Sequence, residues 1–366
     1  MRRLVVLEAT GDAGFVDRLR RAWDDGDAVF PLDPRLPRPA ADALLTAMAP
    51  GEPVEDGDAL VVATSGTTGA PRGVVLTHDA VLASARATSA GLGVDPGTDT
   101  WLACLPLAHI GGLSVVTRAL LTGTRLVVHP RFDATLVRNA VAAGDVTLVS
   151  LVPTMLRRID PRPFRRILLG GSAPPPDRPA HVIATYGLTE TGSGVVYDGV
   201  PIDGAEVRVG AGPAEADEIF VRGPMLLRAY RNGIDPKTVG GWLPTGDLGA
   251  WDGAAGRLRV FGRRGDLIIT GGANVWPASV EAVLGRHPKV DAVRVVGRDD
   301  PEWGQRVVAL VAPVDPADPP SLDDLRGLAK EHLGPWAAPR ELDLVDAAAL
   351  PRTALGTARR ANSRIT

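Results

Sequence analysis

The chain has 366 residues, 45% of them apolar, and Gly and Pro together make up about a fifth of it; this suits two domains or one large one and excludes low-complexity disorder. Forty basic against 43 acidic side chains leave a net charge of −3, so there is no basic field for nucleic acid or an anionic membrane. The single cysteine, Cys104, excludes a disulfide framework and any multi-cysteine metal site and fits a reducing cytoplasm.

Taken in order, MRRLVVLEATGDAG has an apolar run too short for a signal-peptide core, and the Pro-rich tract PLDPRLPRP reads as a surface connector, as does DPADPP further on. From residue 59, apolar runs alternate with helical patterns, the rhythm of an α/β domain with a largely parallel sheet. Strands are expected at Ala59–Thr64, Trp101–Leu105, Arg125–Val128, Val146–Ser150, Arg166–Leu169 and Val182–Thr185. Helices are expected at Thr77–Gly91 and Asp133–Ala143, each opened by a side chain able to accept first-turn amides. The uncharged stretch Thr100–Thr117 contains Pro106, His109, Gly111 and Gly112, and reads as buried strand, loop and helix rather than a membrane span. In such a fold, function sits at the carboxyl ends of the strands.

After about residue 200 the texture changes to short alternating segments, Glu206–Val209, Glu218–Val221 and Leu258–Phe261, which predict a mostly antiparallel β-rich subdomain over about 200–265. Helices at Pro277–Gly285 and Ser321–Leu333 and strands at Ala292–Val296 and Val307–Val311 then predict an α+β lobe. The fold class is thus α/β, a large N-terminal lobe with mixed and parallel sheets over 1–265 followed by a small mobile C-terminal lobe over 266–366. The boundary falls at Asp266, beside Gly265.

Three segments carry chemistry. Thr64-Ser65-Gly66-Thr67-Thr68-Gly69-Ala70-Pro71-Arg72-Gly73 follows a strand; its glycines, hydroxyls and one cation suit a polyphosphate, although taken alone it reads equally well as a flexible connector. It is not a Walker loop, because no Gly-Lys-Ser/Thr follows. Tyr186-Gly187-Leu188-Thr189-Glu190-Thr191 offers an aromatic ring for a base, a hydroxyl for a phosphate and a carboxylate for Mg²⁺. Thr245-Gly246-Asp247-Leu248-Gly249 offers a carboxylate suited to paired ribose hydroxyls, although an isolated Asp turn is more often plain structure.

Together TSGTTGAPRGV, YGLTET, TGDLG, FGRRGDLIITGGANVWPASVE and LPRTALG resemble, in order and spacing, the adenylate-forming acyl-CoA synthetase superfamily over residues 59 to 360. The resemblance implies an acid–thiol ligase that uses ATP, Mg²⁺ and coenzyme A on a small-molecule carboxylate. Thr64, Ser65, Gly66, Thr67, Thr68, Gly69 and Arg72 would hold the pyrophosphate end of ATP. Gly170, Gly171 and Ser172 would pass between substrate and adenine, Tyr186 and Gly187 would lie by the adenine, and Thr189 would contact the α-phosphate. Glu190 would bind magnesium, Asp247 and Arg263 the ribose, while Gly271 and Gly272 would line the pantetheine path and Asp266 would be the hinge. PLAHIGGL is similar to the segment lining the acyl pocket, which makes His109 a substrate neighbour with a catalytic role; a lone histidine among apolar residues is otherwise more often a core residue.

The phosphate loop is preceded by 63 residues, fewer than superfamily members usually carry, and YGLTETGSGVVYDG follows the pattern of compact o-succinylbenzoate-CoA ligases of menaquinone biosynthesis. That resemblance implies a second, ionised carboxylate in the substrate. Its candidate partners are His109, Ser193 and water, since a buried unpaired carboxylate costs several kcal/mol. Other aryl or fatty acyl substrates, and a non-catalytic nucleotide-binding role, stay open, as does the oligomeric state, a homodimer among the options. One departure matters: the superfamily places a lysine after Gly356, where this chain has Thr357, and its lysines, Lys237, Lys289 and Lys330, lie elsewhere. Without that cation, which bridges the substrate carboxylate and the α-phosphate, adenylation is expected to be slowed by at least ~10²–10³-fold. The substitution is either engineered or a mark of a natural pseudoenzyme.

Overall fold

The computed structural model describes residues 2–65, 71–175, 177–210, 216–347 and 350. Strands β1 (Leu4–Glu8) and β2 (Ala28–Leu32) run parallel and are joined by helix α1 (Ala13–Asp24). The Asp12 carboxylate accepts the Phe15 amide at 2.7 Å and caps α1, whose Phe15, Val16, Leu19 and Ala22 share one buried stripe. Helix α2 (Arg38–Met48) leads into β3 (Asp58–Ser65), which is parallel to β2 and antiparallel to β4 (Pro71–Thr77). These elements correct the reading of PLDPRLPRP as a connector: Pro31 and Leu32 close β2, and Arg38 and Pro39 open α2. Proline is accommodated because Pro31 lies beyond Val29↔Leu60, where the β2–β3 ladder has already ended, and because Pro39 falls in a helical first turn whose amides have no intrahelical partner.

Helix α3 (His78–Leu92) is capped by the Thr77 hydroxyl, as its sequence predicts. Strands β5 (Thr100–Ala103), β6 (Arg125–Val128), β7 (Leu148–Leu151), β8 (Arg166–Leu169) and β9 (Val182–Leu188) form one parallel array in the order β9-β8-β7-β5-β6. Helices α4 (Ile110–Thr122) and α5 (Ala134–Ala142) and the short α6 (Pro153–Leu156) lie between these strands in the chain. Two hydrophobic clusters cover the array, one including Trp101, Leu113 and Leu148 and the other Leu102, Val149 and Ile167. Because both faces are covered, the strands read as unbroken apolar runs. Strands β10 (Ser193–Tyr197) and β11 (Val200–Pro201) extend the sheet antiparallel beyond β9.

Strands β12 (Glu206–Val209), β13 (Asp217–Arg222), β15 (Leu243–Asp252) and β16 (Arg257–Arg263) make an antiparallel sheet, as the alternating texture predicts. Between them the two-residue strand β14 (Ala229–Tyr230) returns to pair with β4. A 3₁₀ turn at Arg264–Asp266 leads to β17 (Ile268–Thr270), β18 (Ala273–Val275), α7 (Pro277–Leu284), β19 (Val290–Asp300), β20 (Gly304–Pro313), α8 (Leu322–His332) and β21 (Glu341–Leu344). These later elements share their own core, with Ile268, Val280, Leu284, Val295 and Leu325 in one cluster. No helix among the described residues is long and apolar enough to cross a membrane.

Long-range ion pairing ties the residue preceding β14 to β3. Asp58, 2% exposed, accepts from Arg228 Nε at 2.9 Å and Nη2 at 3.0 Å. Replacing Arg228→Met strands this carboxylate, and a loss of about 3 kcal/mol is expected in chemical denaturation; a loss below ~0.5 kcal/mol would mean the pair contributes nothing net.

Candidate active site

Strand β9 ends in Tyr186-Gly187-Leu188 and passes into a 3₁₀ turn, Thr189–Thr191, before β10 runs back. The Thr191 hydroxyl accepts the Leu188 amide at 2.8 Å and lies 2.6 Å from the Ser193 carbonyl it can donate to, so the turn is pinned from inside. Gly187 is obligatory here, because a Cβ would lie 2.1 Å from the Ser193 carbonyl oxygen and 2.7 Å from Gly194 Cα. The YGLTE segment is therefore a tight hairpin with Thr189 and Glu190 half-buried at its turn.

Asp247, on β15, faces Arg263, on β16, in the strand register. Arg263 Nε lies 2.9 Å from Asp247 Oδ1, and the Tyr186 hydroxyl donates to Asp247 Oδ2 at 2.9 Å. Thr245 fixes the turn below, accepting the Asp247 amide at 3.1 Å and donating to the Ile219 carbonyl at 2.7 Å. Burial, with the Asp247 charge beside it, pushes the Tyr186 hydroxyl well above the usual phenol range, so it remains a neutral donor. Three residues singled out from separate motifs thus meet at one carboxylate.

The structure places the other expected residues as follows. Thr64 and Arg72 face each other across β3 and β4, with the Thr64 hydroxyl 3.5 Å from the Arg72 carbonyl, and Ser65 pairs with Pro71; Gly66, Thr67, Thr68 and Gly69 lie outside the described residues. Gly170 follows β8 and donates to the Leu151 carbonyl at 3.1 Å, with Gly171 and Ser172 next in the loop. Asp266 is in the 3₁₀ turn between β16 and β17, next to Arg264, whose Nη2 lies 3.3 Å from Glu218 Oε2. Gly271 and Gly272 form the β17–β18 turn with left-handed φ of 56° and 80°, and a Cβ on Gly271 would sit 2.6 Å from the Trp303 ring. Gly271 hydrogen-bonds within the C-terminal sheet, to the Trp303 carbonyl at 2.9 Å. Thr357 lies outside the described residues.

His109 is the N-cap of α4, and its buried Nε2 has no hydrogen-bond partner among the described residues. Burial holds its pKa below the ordinary imidazole value, with Asp33 and Arg35 as opposing neighbours, so the ring is neutral at pH 7. Ser193 leads inward to a residue that motif reading passes over. Arg118, on α4, is 1% exposed, and its Nη2 lies 3.4 Å from the Ser193 hydroxyl, which in turn lies 3.3 Å from the Ser114 hydroxyl. Its guanidinium stacks 4.8 Å from the Trp101 ring centroid, while Nε and Nη1 have no hydrogen-bond partner and no carboxylate pairs with it among the described residues. The signal in the sequence was an arginine inside the apolar run LSVVTRALL.

Glu190 receives the Tyr230 hydroxyl on Oε1 at 3.0 Å and makes no ion pair with Lys or Arg among the described residues. A carboxylate of this kind is a hard oxygen donor of the type that suits Mg²⁺, which is commonly held by one or two carboxylates together with substrate phosphates. No cluster of three metal-ligating side chains occurs among the described residues.

This fold is that of an AMP-binding enzyme. The chain belongs to that family: the model for the AMP-binding enzyme matches residues 11–231, and that for the AMP-binding enzyme C-terminal domain matches 279–357. It is similar to a probable 2-succinylbenzoate–CoA ligase of Mycobacterium tuberculosis, with 39% identity over 384 residues spanning 99% of this chain and 97% of the relative. Among solved structures it resembles the o-succinylbenzoate CoA synthetase of Bacillus subtilis in complex with the acyl-adenylate intermediate OSB-AMP, with TM-score 0.75 and 31% identity over 97% of this chain and 81% of that one. The same enzyme in complex with ATP and magnesium ion gives TM-score 0.74 and 31% identity over 96% and 82%.

Two outcomes follow. Asp247→Asn removes the charged acceptor and is expected to weaken AMP binding about tenfold to a hundredfold by calorimetry, with unchanged affinity contradicting the pocket. His78, His109 and His129 all have pKa values lowered by burial. Protons therefore bind the unfolded chain first once pH falls below about 6.5, and stability present above pH 7 is lost toward pH 5, before depressed carboxylates such as Asp12 titrate. The melting temperature should fall across that window, and by less in His109→Gln; an equal fall in the variant would show that His109 takes no part.

Proposed function

We propose that the chain is an AMP-forming acid–CoA ligase acting on o-succinylbenzoate. The observation that carries the substrate assignment is Arg118: a buried cation with two nitrogens that have no partner among the described residues, behind Ser193, is costly unless an anion completes it. A substrate with a second, permanently ionised carboxylate supplies that anion, received through the Ser193 hydroxyl with the guanidinium charge behind it. A fatty acid has no group to place there.

In the first half-reaction a substrate carboxylate oxygen attacks the α-phosphorus of ATP, the bond to the β-phosphate oxygen breaks, and pyrophosphate leaves. Because two anions must meet, the protein's part is positioning and charge neutralisation. Asp247 and Arg263 would hold the ribose, Tyr186 the base, Thr189 the α-phosphate, and residues 64–73, including Arg72, the departing phosphates. Glu190 would hold Mg²⁺, which supplies positive charge to the phosphate oxygens. In the second half-reaction the CoA thiolate attacks the acyl-adenylate carbonyl and AMP leaves. The neutral His109 at the start of α4 would border the acyl group. Rotation of the 266–366 lobe about Asp266 would bring the Gly271–Gly272 turn, with its room for a thin pantetheine arm, to the reacting carbonyl.

With Thr357 where the superfamily has lysine, adenylation lacks one cation. Thr357→Lys is expected to raise pyrophosphate exchange by about 10²–10³-fold, and no rise would favour a nucleotide-binding protein without turnover. In that restored background Arg118→Met should raise KM for o-succinylbenzoate about tenfold or more with kcat changed less, while stability holds or rises, because an unpaired buried charge has been removed. Unchanged KM would overturn the assignment of the second carboxylate.

A further inference from the structure

Tyr230 belongs to none of the motifs that mark the nucleotide site, yet it touches two residues that do. Its strand, β14, bridges the two segments bracketing the phosphates. On one side Tyr230 pairs with Val74 of β4, and the Arg231 amide donates to the Gly73 carbonyl at 2.7 Å. On the other, the Leu227 amide donates to the Glu190 carbonyl at 2.8 Å. The side chain repeats that bridge: its hydroxyl donates to Glu190 Oε1 at 3.0 Å, and the Arg72 guanidinium lies 5.5 Å from its ring centroid.

A carboxylate and a guanidinium in one cleft tend to close into a bidentate pair, which would take both from a nucleotide. Among the described residues Arg72 and Glu190 make no ion pair; each is engaged instead by the phenol, Arg72 with the ring and Glu190 with the hydroxyl. The backbone pairing of β14 needs no hydroxyl, so this contact is a separate feature.

We infer that Tyr230 is a positioning residue for the nucleotide–magnesium site: its hydroxyl fixes one oxygen of Glu190 so that the other faces the cation, and its ring keeps Arg72 apart from that carboxylate and available to phosphate. This rests on the nucleotide reading above and extends it to a residue outside the shared motifs. The hydroxyl acts on the metal only through Glu190, as an outer partner that orients a ligand.

The test is calorimetric titration of the full chain with ATP over a series of Mg²⁺ concentrations, with AMP as the ligand that needs no metal. Tyr230→Phe keeps the strand and the ring. It should raise the Mg²⁺ concentration that half-restores ATP affinity about 10–100-fold, with AMP affinity and melting temperature unchanged. Glu190→Gln should abolish the Mg²⁺ enhancement, and adding Tyr230→Phe to it should change nothing further. An unaltered Mg²⁺ dependence in Tyr230→Phe, or an additional loss in the double variant, overturns the inference while leaving the nucleotide reading intact. Absence of any ATP or AMP binding by the unsubstituted chain would instead remove the reading on which it rests.

Discussion

The carboxylate of Asp247 is the constraint on which the rest of the site depends. It is nearly enclosed, and an enclosed charge persists only when its lone pairs are met. Arg263 meets one oxygen and Tyr186 the other, so the end of β9 and the paired strands β15 and β16 are drawn to one point. Because these acceptors and donors already stand in place, ribose hydroxyls would need little reorganisation to join them, and such preorganisation is the usual source of electrostatic stabilisation in enzymes. The same contact locks the β-rich sheet onto the parallel array.

Charge is divided across the cleft according to what each end would hold. At the proposed phosphate end, Arg72 and Glu190 would serve oxygen and a divalent cation. At the proposed acyl end, the positive charge of Arg118 is buried behind a serine hydroxyl and stacked on Trp101. A guanidinium tolerates such a place better than an ammonium because it is weakly hydrated and can stack on aromatic faces. A half-buried hydroxyl with a cation behind it would give selectivity for an anion without presenting a bare charge that would attract pyrophosphate or ATP. His109, neutral by burial, adds no competing positive charge.

Much of this was legible in the sequence, for identifiable reasons. The parallel strands β6 and β8 were readable to the residue because each is a short apolar run opened by an arginine, and α3 and α5 because Thr77 and Asp133 are N-caps whose side chains accept first-turn amides. The first two strands and helices were not, because proline in β2 and at the start of α2 imitates a connector, and only pairing with β1 and β3 reveals otherwise. Tyr186, Asp247 and Arg263 were readable as members of motifs, although their meeting point was not, since β15 and β16 bring it about through strand register. Arg118 escaped because it sits in an apolar stretch and Tyr230 because it lies between arginines outside every motif, and their roles come from partners 75 and 40 residues away in sequence.

The account is tested most directly by a crystal structure of the chain with a non-reactive sulfamoyl analogue of the o-succinylbenzoyl adenylate. It predicts ribose hydroxyls on Asp247, the base against Tyr186, and the benzoate carboxylate hydrogen-bonded at Ser193 with Arg118 behind it. A benzoate pointing to solvent, or a ribose bound away from Asp247, would contradict it.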